Sequence, residues 1–243
     1  MGGNAVVSRQ DQRVAIVTGG SRGIGTGIVA GYRRLGWAVV AASRSVKQSE
    51  DPAIVNVAGD VSDPIAADRI VRAAMDTFGR LDTLVNNAGL FVAKPFADYT
   101  SDDYAAMIKV NLGGFFAMTQ RAIAEMVKQG SGHVVNITTT LADYANSATP
   151  AALAALTKGG LASATKSLAI EYASRGIRVN AVSPGTIQTP EYAPESYDGL
   201  AALQPIGRVG KVSDVVDGIL FLESSPFITG EILHIDGGQI AGH

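Results

Sequence analysis

From Arg13 onward the chain alternates two hydrophobic patterns. Short runs of consecutive apolar, often β-branched residues recur at 13–19 (RVAIVTG), 38–43 (AVVAAS), 53–59 (AIVNVAG), 83–89 (TLVNNAG), 132–138 (GHVVNIT), 178–184 (RVNAVSP) and 231–237 (EILHIDG). Between them, segments 23–36, 64–79, 101–129, 150–175 and 212–223 have helical length and periodicity. Near-continuous apolar strands suit a parallel sheet covered on both faces. The pattern predicts one doubly wound α/β domain, with a seven-stranded parallel sheet flanked by helices. Only residues 44–55 separate the second and third strands, so any helix there is short. No linker, repeat or low-complexity stretch divides residues 13–243, and residues 1–12 are expected to form a flexible arm.

Composition narrows the function. With 243 residues, 47% of them hydrophobic, the chain can bury a large core, which excludes intrinsic disorder. Lys and Arg total 20 against 22 Asp and Glu, so neither nucleic acid nor an anionic membrane surface has an electrostatic footprint to meet. The absence of cysteine excludes disulfides, thiolate zinc sites and a cysteine nucleophile. His133, His234 and His243 lie far apart in sequence, and no metal site is expected. The first residues, MGGNAVVSRQDQR, carry no apolar signal core, and no run of 18 apolar residues occurs. A soluble, cytoplasmic protein is expected.

The first strand runs into Thr18-Gly19-Gly20-Ser21-Arg22-Gly23-Ile24-Gly25, and a helix follows. Glycines there permit a tight turn and let a pyrophosphate approach the amides of a helix N-terminus. Gly19, Ser21, Arg22, Gly23, Ile24 and Gly25 are therefore candidate dinucleotide contacts. At the end of the second strand an acidic residue would hold the ribose of NAD and repel a 2′-phosphate. This chain has Ala42-Ser43-Arg44 instead. Arg44 with Arg22 can clamp that phosphate, with Ser43 beside them, which favours NADP(H) over NAD(H). The alternative is that both arginines are ordinary solvated surface residues.

The spacing Gly19-xxx-Gly23-x-Gly25 resembles the short-chain dehydrogenase/reductase family, and further matches follow in order from residue 13 to 238. Asp60-Val61 in GDVSD looks like the family's adenine-contacting segment, and Asn86-Asn87-Ala88-Gly89 like its N-N-A-G motif. Asn111 in VNLGG matches the asparagine that holds the family's proton-relay water. Pro184-Gly185-Thr186-Ile187-Gln188-Thr189 matches the segment contacting the nicotinamide carboxamide and pyrophosphate, and ITGEILHIDGG matches the C-terminal strand. The resemblance implies a Rossmann domain, a substrate-covering lid near 190–204, and a homotetramer or dimer joined through the two long helices and the last strand.

The family's catalytic core is a serine after the fifth strand and Y-x-x-x-K on the next helix. The tyrosine gives a proton to the carbonyl oxygen, and the lysine lowers its pKa and anchors the nicotinamide ribose. Here Lys158 matches the lysine, but four residues earlier stands Ala154. Thr139 falls at the serine, with Thr140 as a second candidate because 136–154 is about two residues longer than the family spacing. Thr149 as N-cap and Pro150 as first residue are expected to open the helix. Tyr144 before the helix, Tyr192 and Tyr197 in the lid segment, and Asp143 if buried, are substitute acids. The implied activity is an NADP(H)-dependent oxidoreductase on a small carbonyl or alcohol substrate, with Asn111, Thr139 and Lys158 as catalytic groups and a weakened proton donor. The alternative is an NADP-binding protein with little turnover, a cofactor sensor or structural subunit.

Overall fold

Seven strands follow the predicted runs: β1 (Val14–Thr18), β2 (Ala38–Ser43), β3 (Ile54–Ala58), β4 (Thr83–Asn86), β5 (Gly132–Ile137), β6 (Ile177–Pro184) and β7 (Ile232–Ile235). All pair in parallel, in the order β3-β2-β1-β4-β5-β6-β7. A computed structural model gives this structure for residues 12–190, 197–202 and 204–242. The expected arm, except Gln12, lies outside the described residues, as do Tyr192 and the side chain of Tyr197 in the expected lid. What is described of that lid includes the short helix α6 (Tyr197–Ala201).

Burial on both faces explains the unbroken apolar runs of the five inner strands, while the edge strands β3 and β7 are half-buried. Val14 and Ile16 point to one core with α2 (Pro64–Phe78), α4 (Gly114–Gln129) and α5 (Ala152–Tyr172). Ala15 and Val17 point to the other, with α1 (Gly23–Arg34) and α7 (Val212–Ser224). The α1–α7 contact depends on small residues, since a Cβ on Gly27 would lie 2.2 Å from Val212 Cγ1. Local signals set the helix ends. Asp63 accepts from Ile65 N at 3.0 Å with Pro64 at the first helical position, and Gly79 closes α2 at φ 76°. Thr100 and Asp103 form a reciprocal capping box at the start of α3 (Ser101–Met107).

Three local expectations are corrected. The helix predicted over 101–129 is divided into α3, a π-turn at Ile108–Gly113, and α4. The next helix starts at Ala152 with Ala151 as N-cap, so Thr149 and Pro150 do not open it. Its approach is consumed by a turn in which Thr149 N donates to Asn146 O (3.0 Å) and Ala148 N to Asn146 Oδ1 (2.8 Å). The strand predicted over 83–89 ends at Asn86, because the amides of Asn87 and Ala88 turn to Thr18 Oγ1, each at 3.0 Å.

Candidate active site

The strand order reverses between β1 and β4, and in such sheets ligands bind outside the carboxyl ends of the strands at this point. The glycine loop stands there. Gly19 and Gly23 have φ of 67° and 52°, conformations that favour glycine. A Cβ on Gly25 would lie 2.0 Å from Gly19 O, so the loop closes on its own helix. Arg22 caps α1 in extended conformation, and no acidic residue occupies the first turn. Ser21 and Arg22 are exposed, Gly23 and Ile24 half-buried. The first-turn amides and the positive end of the helix dipole thus face the loop uncancelled by acidic charge.

The N-N-A-G segment braces this loop. Asn87 Nδ2 donates to Thr18 O (2.9 Å), and Thr18 Oγ1 donates to Val85 O (3.2 Å) while receiving the two amides above. Thr18 was not among the expected site residues, and the signal for it was its position directly before Gly19. Asn86 lies deeper, donating to Thr119 Oγ1 (2.8 Å) and Asn136 Oδ1 (2.9 Å) in a buried network. Ser43 ends β2 beside the loop and Arg44 follows it, where Gly20 N donates to Ala42 O (3.1 Å). Arg44 is exposed and has no ion-pair partner among the described residues. Asp60 accepts from Ser62 Oγ (2.6 Å) and Ser62 N (3.0 Å) and faces Lys109 at 3.5 Å. The Ser62 hydroxyl, ahead of the Lys109 charge, holds its carboxyl below the usual range. Val61 is buried against Gly114.

Asn111 sits in the π-turn, a local irregularity often found at functional sites. Its side chain is fully engaged: Oδ1 accepts from Leu90 N (2.7 Å), and Nδ2 donates to Leu90 O (3.0 Å) and Thr157 Oγ1 (3.0 Å). It therefore fixes the chain leaving Gly89. A Cβ on Gly89 would stand 3.4 Å from Asn111 Oδ1 and 3.6 Å from Lys158 Cε, so these groups converge. Lys158 Nζ donates to Thr138 O at 3.2 Å. The residue is partly covered, but its ammonium lies deep enough that desolvation pulls its pKa from 10.5 to about 8.

The three consecutive threonines separate by contact. Thr138 Oγ1 donates to Val182 O (3.2 Å) and Thr140 Oγ1 to Pro184 O (2.7 Å), so both tie β5 to β6. Thr139 Oγ1 accepts from Leu141 N (3.4 Å), and its hydroxyl hydrogen has no acceptor among the described residues. Thr139 is thus the threonine with a donor to offer. Ala154 is fully buried in a cluster with Met107, Ala151 and Leu153, against which Leu90, Val92, Tyr99 and Leu141 pack. Tyr144 is half-buried on the loop after β5. Asp143 is exposed and pairs with His234 at 3.3 Å, so the burial its role as an acid required is missing. Beyond β6, Gly185 N donates to Ile235 O (3.0 Å), and a Cβ there would meet Gln204 Oε1 at 2.6 Å. Gln204, buried and bonded to Gln239 Oε1 (3.2 Å), carried no motif that could reveal it. Ile187 bridges to Gly210, and Thr189 stands at the last described positions before the lid segment.

The family described as enoyl-(acyl carrier protein) reductase matches residues 19–239. A 3-oxoacyl-[acyl-carrier-protein] reductase of Thermotoga maritima is 36% identical over 250 residues, covering 96% of this chain and 99% of that protein. The chain belongs to the short-chain dehydrogenase/reductase family. As a short-chain dehydrogenase/reductase it is an oxidoreductase of the NAD(P)-dependent type. Its relatives act on different substrates: a 3beta-hydroxysteroid dehydrogenase of Eggerthella lenta is 35% identical, with 93% of each chain covered. Among solved structures, ElxO with NADP bound superposes with TM-score 0.89 at 30% identity, covering 95% of this chain and 100% of that one. A 3-ketoacyl-(acyl-carrier-protein) reductase from Brucella melitensis, complexed with NADH, gives TM-score 0.87 at 31% identity, over 94% of this chain and 98% of the other. No helix among the described residues of this short-chain dehydrogenase/reductase is long and apolar enough to cross a membrane.

Proposed function

We propose that the protein reduces a small carbonyl substrate with NADPH, or oxidises the corresponding alcohol with NADP, using a weakened proton donor. The convergence of Lys158 and Asn111 on Gly89, with Lys158 bonded to the carbonyl that precedes Thr139, carries this reading. The loop fits a dinucleotide: the Gly19–Gly25 contact leaves no side chain above the turn, and α1 offers unneutralised amides to a pyrophosphate. Ser43 and Arg44, with no acid at the end of β2, suit a 2′-phosphate. Asp60 and Val61 would border the adenine. Asn87, Ala88, Gly89, Pro184, Gly185, Ile187 and Thr189 would line the rest of the cofactor, with Lys158 at the ribose. The bound dinucleotide supplies hydride chemistry. Thr139 would donate its free hydroxyl hydrogen to the substrate oxygen, and Asn111 would position Leu90 and Thr157 around it.

A second reading is favoured by one observation: the side chain at 154 is a buried methyl with no proton to give. On that reading the chain binds NADP and turns over little, as a sensor or structural subunit. The test is NADPH oxidation over a panel of ketones and activated diones, with cofactor binding followed by fluorescence. We expect turnover above the buffer rate, and NADPH bound at least about tenfold tighter than NADH, a preference that Arg44→Glu abolishes. Binding without turnover, together with reduction by Ala154→Tyr, would establish the second reading. A homotetramer, or a dimer, in the cytoplasm is part of the proposal.

A further inference from the structure

Among the described residues, the hydroxyl and amide hydrogens of Thr138, Thr140, Thr157, Tyr99 and Asn111 are already committed. Those of Thr138 and Thr140 go to β6, that of Thr157 to Leu153 O (2.8 Å), and that of Tyr99 to Val92 O (2.7 Å). Both amide hydrogens of Asn111 are used, and Asp143 faces His234 at the surface. We propose that Lys158 is itself the proton donor, its ammonium passing a proton to the carbonyl oxygen held at Thr139. This rests on the oxidoreductase reading above and goes further, because the family resemblance gives the lysine only the tasks of tuning a tyrosine and holding a ribose.

The geometry supports it in three ways. Of the three N–H bonds on Nζ, one is committed among the described residues, to Thr138 O, the carbonyl directly preceding Thr139. The side chain passes Gly89, its Cε 3.6 Å from where a Cβ on that residue would stand, so it lies beside the segment proposed to line the cofactor. Ala154, one turn earlier on the same face of α5, extends no further than Cβ and places no phenol beside the ammonium.

The acidity is suitable as well. Desolvation is the sole cause of the lowered lysine pKa. Tyr144 and Asp143 after β5, and Lys109 in the π-turn, contribute nothing to it. An acid near 8 is largely protonated at neutral pH yet able to release its proton. In the balanced reaction a carbonyl, a hydride and a proton give an alcohol and the oxidised dinucleotide. The proton leaves Nζ for the oxygen as the C=O π pair moves onto that oxygen, and the neutral amine then takes a proton from water.

The test uses the full chain and its variants Lys158→Arg, Lys158→Met and Tyr144→Phe. Reduction by the wild type should fall about tenfold per pH unit above about 8, while alcohol oxidation, which needs the neutral amine, rises. Lys158→Arg keeps the charge but cannot release a proton, so it should bind NADPH within about threefold and reduce about 10²- to 10⁴-fold more slowly. Lys158→Met should be equally slow, and Tyr144→Phe should stay within about threefold of wild type. Independently of any substrate, pH-dependent acylation of Lys158 in the wild type, read by mass spectrometry, should show a midpoint near 8 rather than the ordinary 10.5. The proposal is overturned if Lys158→Arg retains more than about a tenth of the activity, if Tyr144→Phe alone abolishes it, or if acylation titrates at the ordinary value. A wild type that binds NADPH but reduces nothing in the panel instead overturns the oxidoreductase reading, and this inference falls with it.

Discussion

A methyl group on Gly25 would stand 2.0 Å from Gly19 O, and neither backbone can move without opening the turn. Gly25→Ala is therefore expected to lower stability by about 1–3 kcal/mol and to weaken NADPH binding at least tenfold. Thermal denaturation and cofactor fluorescence measure the two effects separately. This requirement was legible in the sequence, because a turn between a strand and a helix with glycines at those positions has few other uses. The roles of the three threonines were not legible. Which of them keeps a free hydrogen depends on where β5 meets β6, since Thr138 and Thr140 donate across that pairing and Thr139 does not. Adjacent residues of one type give a sequence reader nothing to separate them. Gln204 was invisible for a related reason: its importance lies in filling the space beside Gly185, more than a dozen residues away.

All seven strands fall within one residue or a few of the apolar runs, because a strand buried on both faces, as β1, β4 and β5 largely are, is written in apolar side chains. Helix interiors were equally plain, whereas the π-turn and the start of α5 depend on contacts that periodicity does not record. The most demanding element-level feature lies at the opposite, amino end of the sheet. Glu223 of α7 accepts from Tyr32 OH (2.8 Å), Thr83 Oγ1 (2.8 Å) and His133 Nδ1 (3.1 Å), joining α1, β4 and β5 to its own helix. Asn180 Nδ2 donates to His133 Nε2 (3.1 Å), so the ring hydrogen is on Nδ1 and the imidazole is neutral. No motif in the sequence marks His133 for this role.

Burial works to raise the Glu223 pKa, but the hydrogen bonds from His133, Thr83 and Tyr32 outweigh it and hold the carboxyl below its usual range. Burial lowers the pKa of His133 below 6.5. Below pH 6.5 the unfolded chain takes up a proton that folded His133 refuses, so stability should fall as the solution is acidified. The depressed Glu223 pKa adds a loss in the same direction at lower pH. Melting temperatures from pH 7.5 to 5 check this, and His133→Asn should remove the imidazole's part of the slope. Glu223→Leu would strand three buried donors and is expected to cost about 3 kcal/mol or more at neutral pH.

At the scale of the whole molecule, exposed apolar side chains are spread over the surface, and several stand on the long helices and ahead of the last strand. Phe116 lies on α4, Leu156 and Ile170 on α5, Phe221 on α7, and the fully exposed Phe227 before β7. The proposed homotetramer or dimer would use surfaces such as these. Light scattering should give about 100 kDa for four copies of 25.1 kDa, or half that for a dimer, and Phe116→Glu with Ile170→Glu should reduce the mass. The fold as a whole was readable because the motifs arrive in order along one domain, whereas assembly depends on how exposed faces meet a second copy. The π-turn bears on the whole molecule in another way. It holds one residue more than a regular helix needs, and each residue rotates a helix by about 100°. Deleting a single residue from Ile108–Gly113 would restore an ordinary helix while swinging Asn111 off Leu90 or dragging α4 around its axis. This site therefore depends on a count of residues as well as on their identity. A homologue or library member that keeps each named side chain but lacks that one residue should fold and still be inactive.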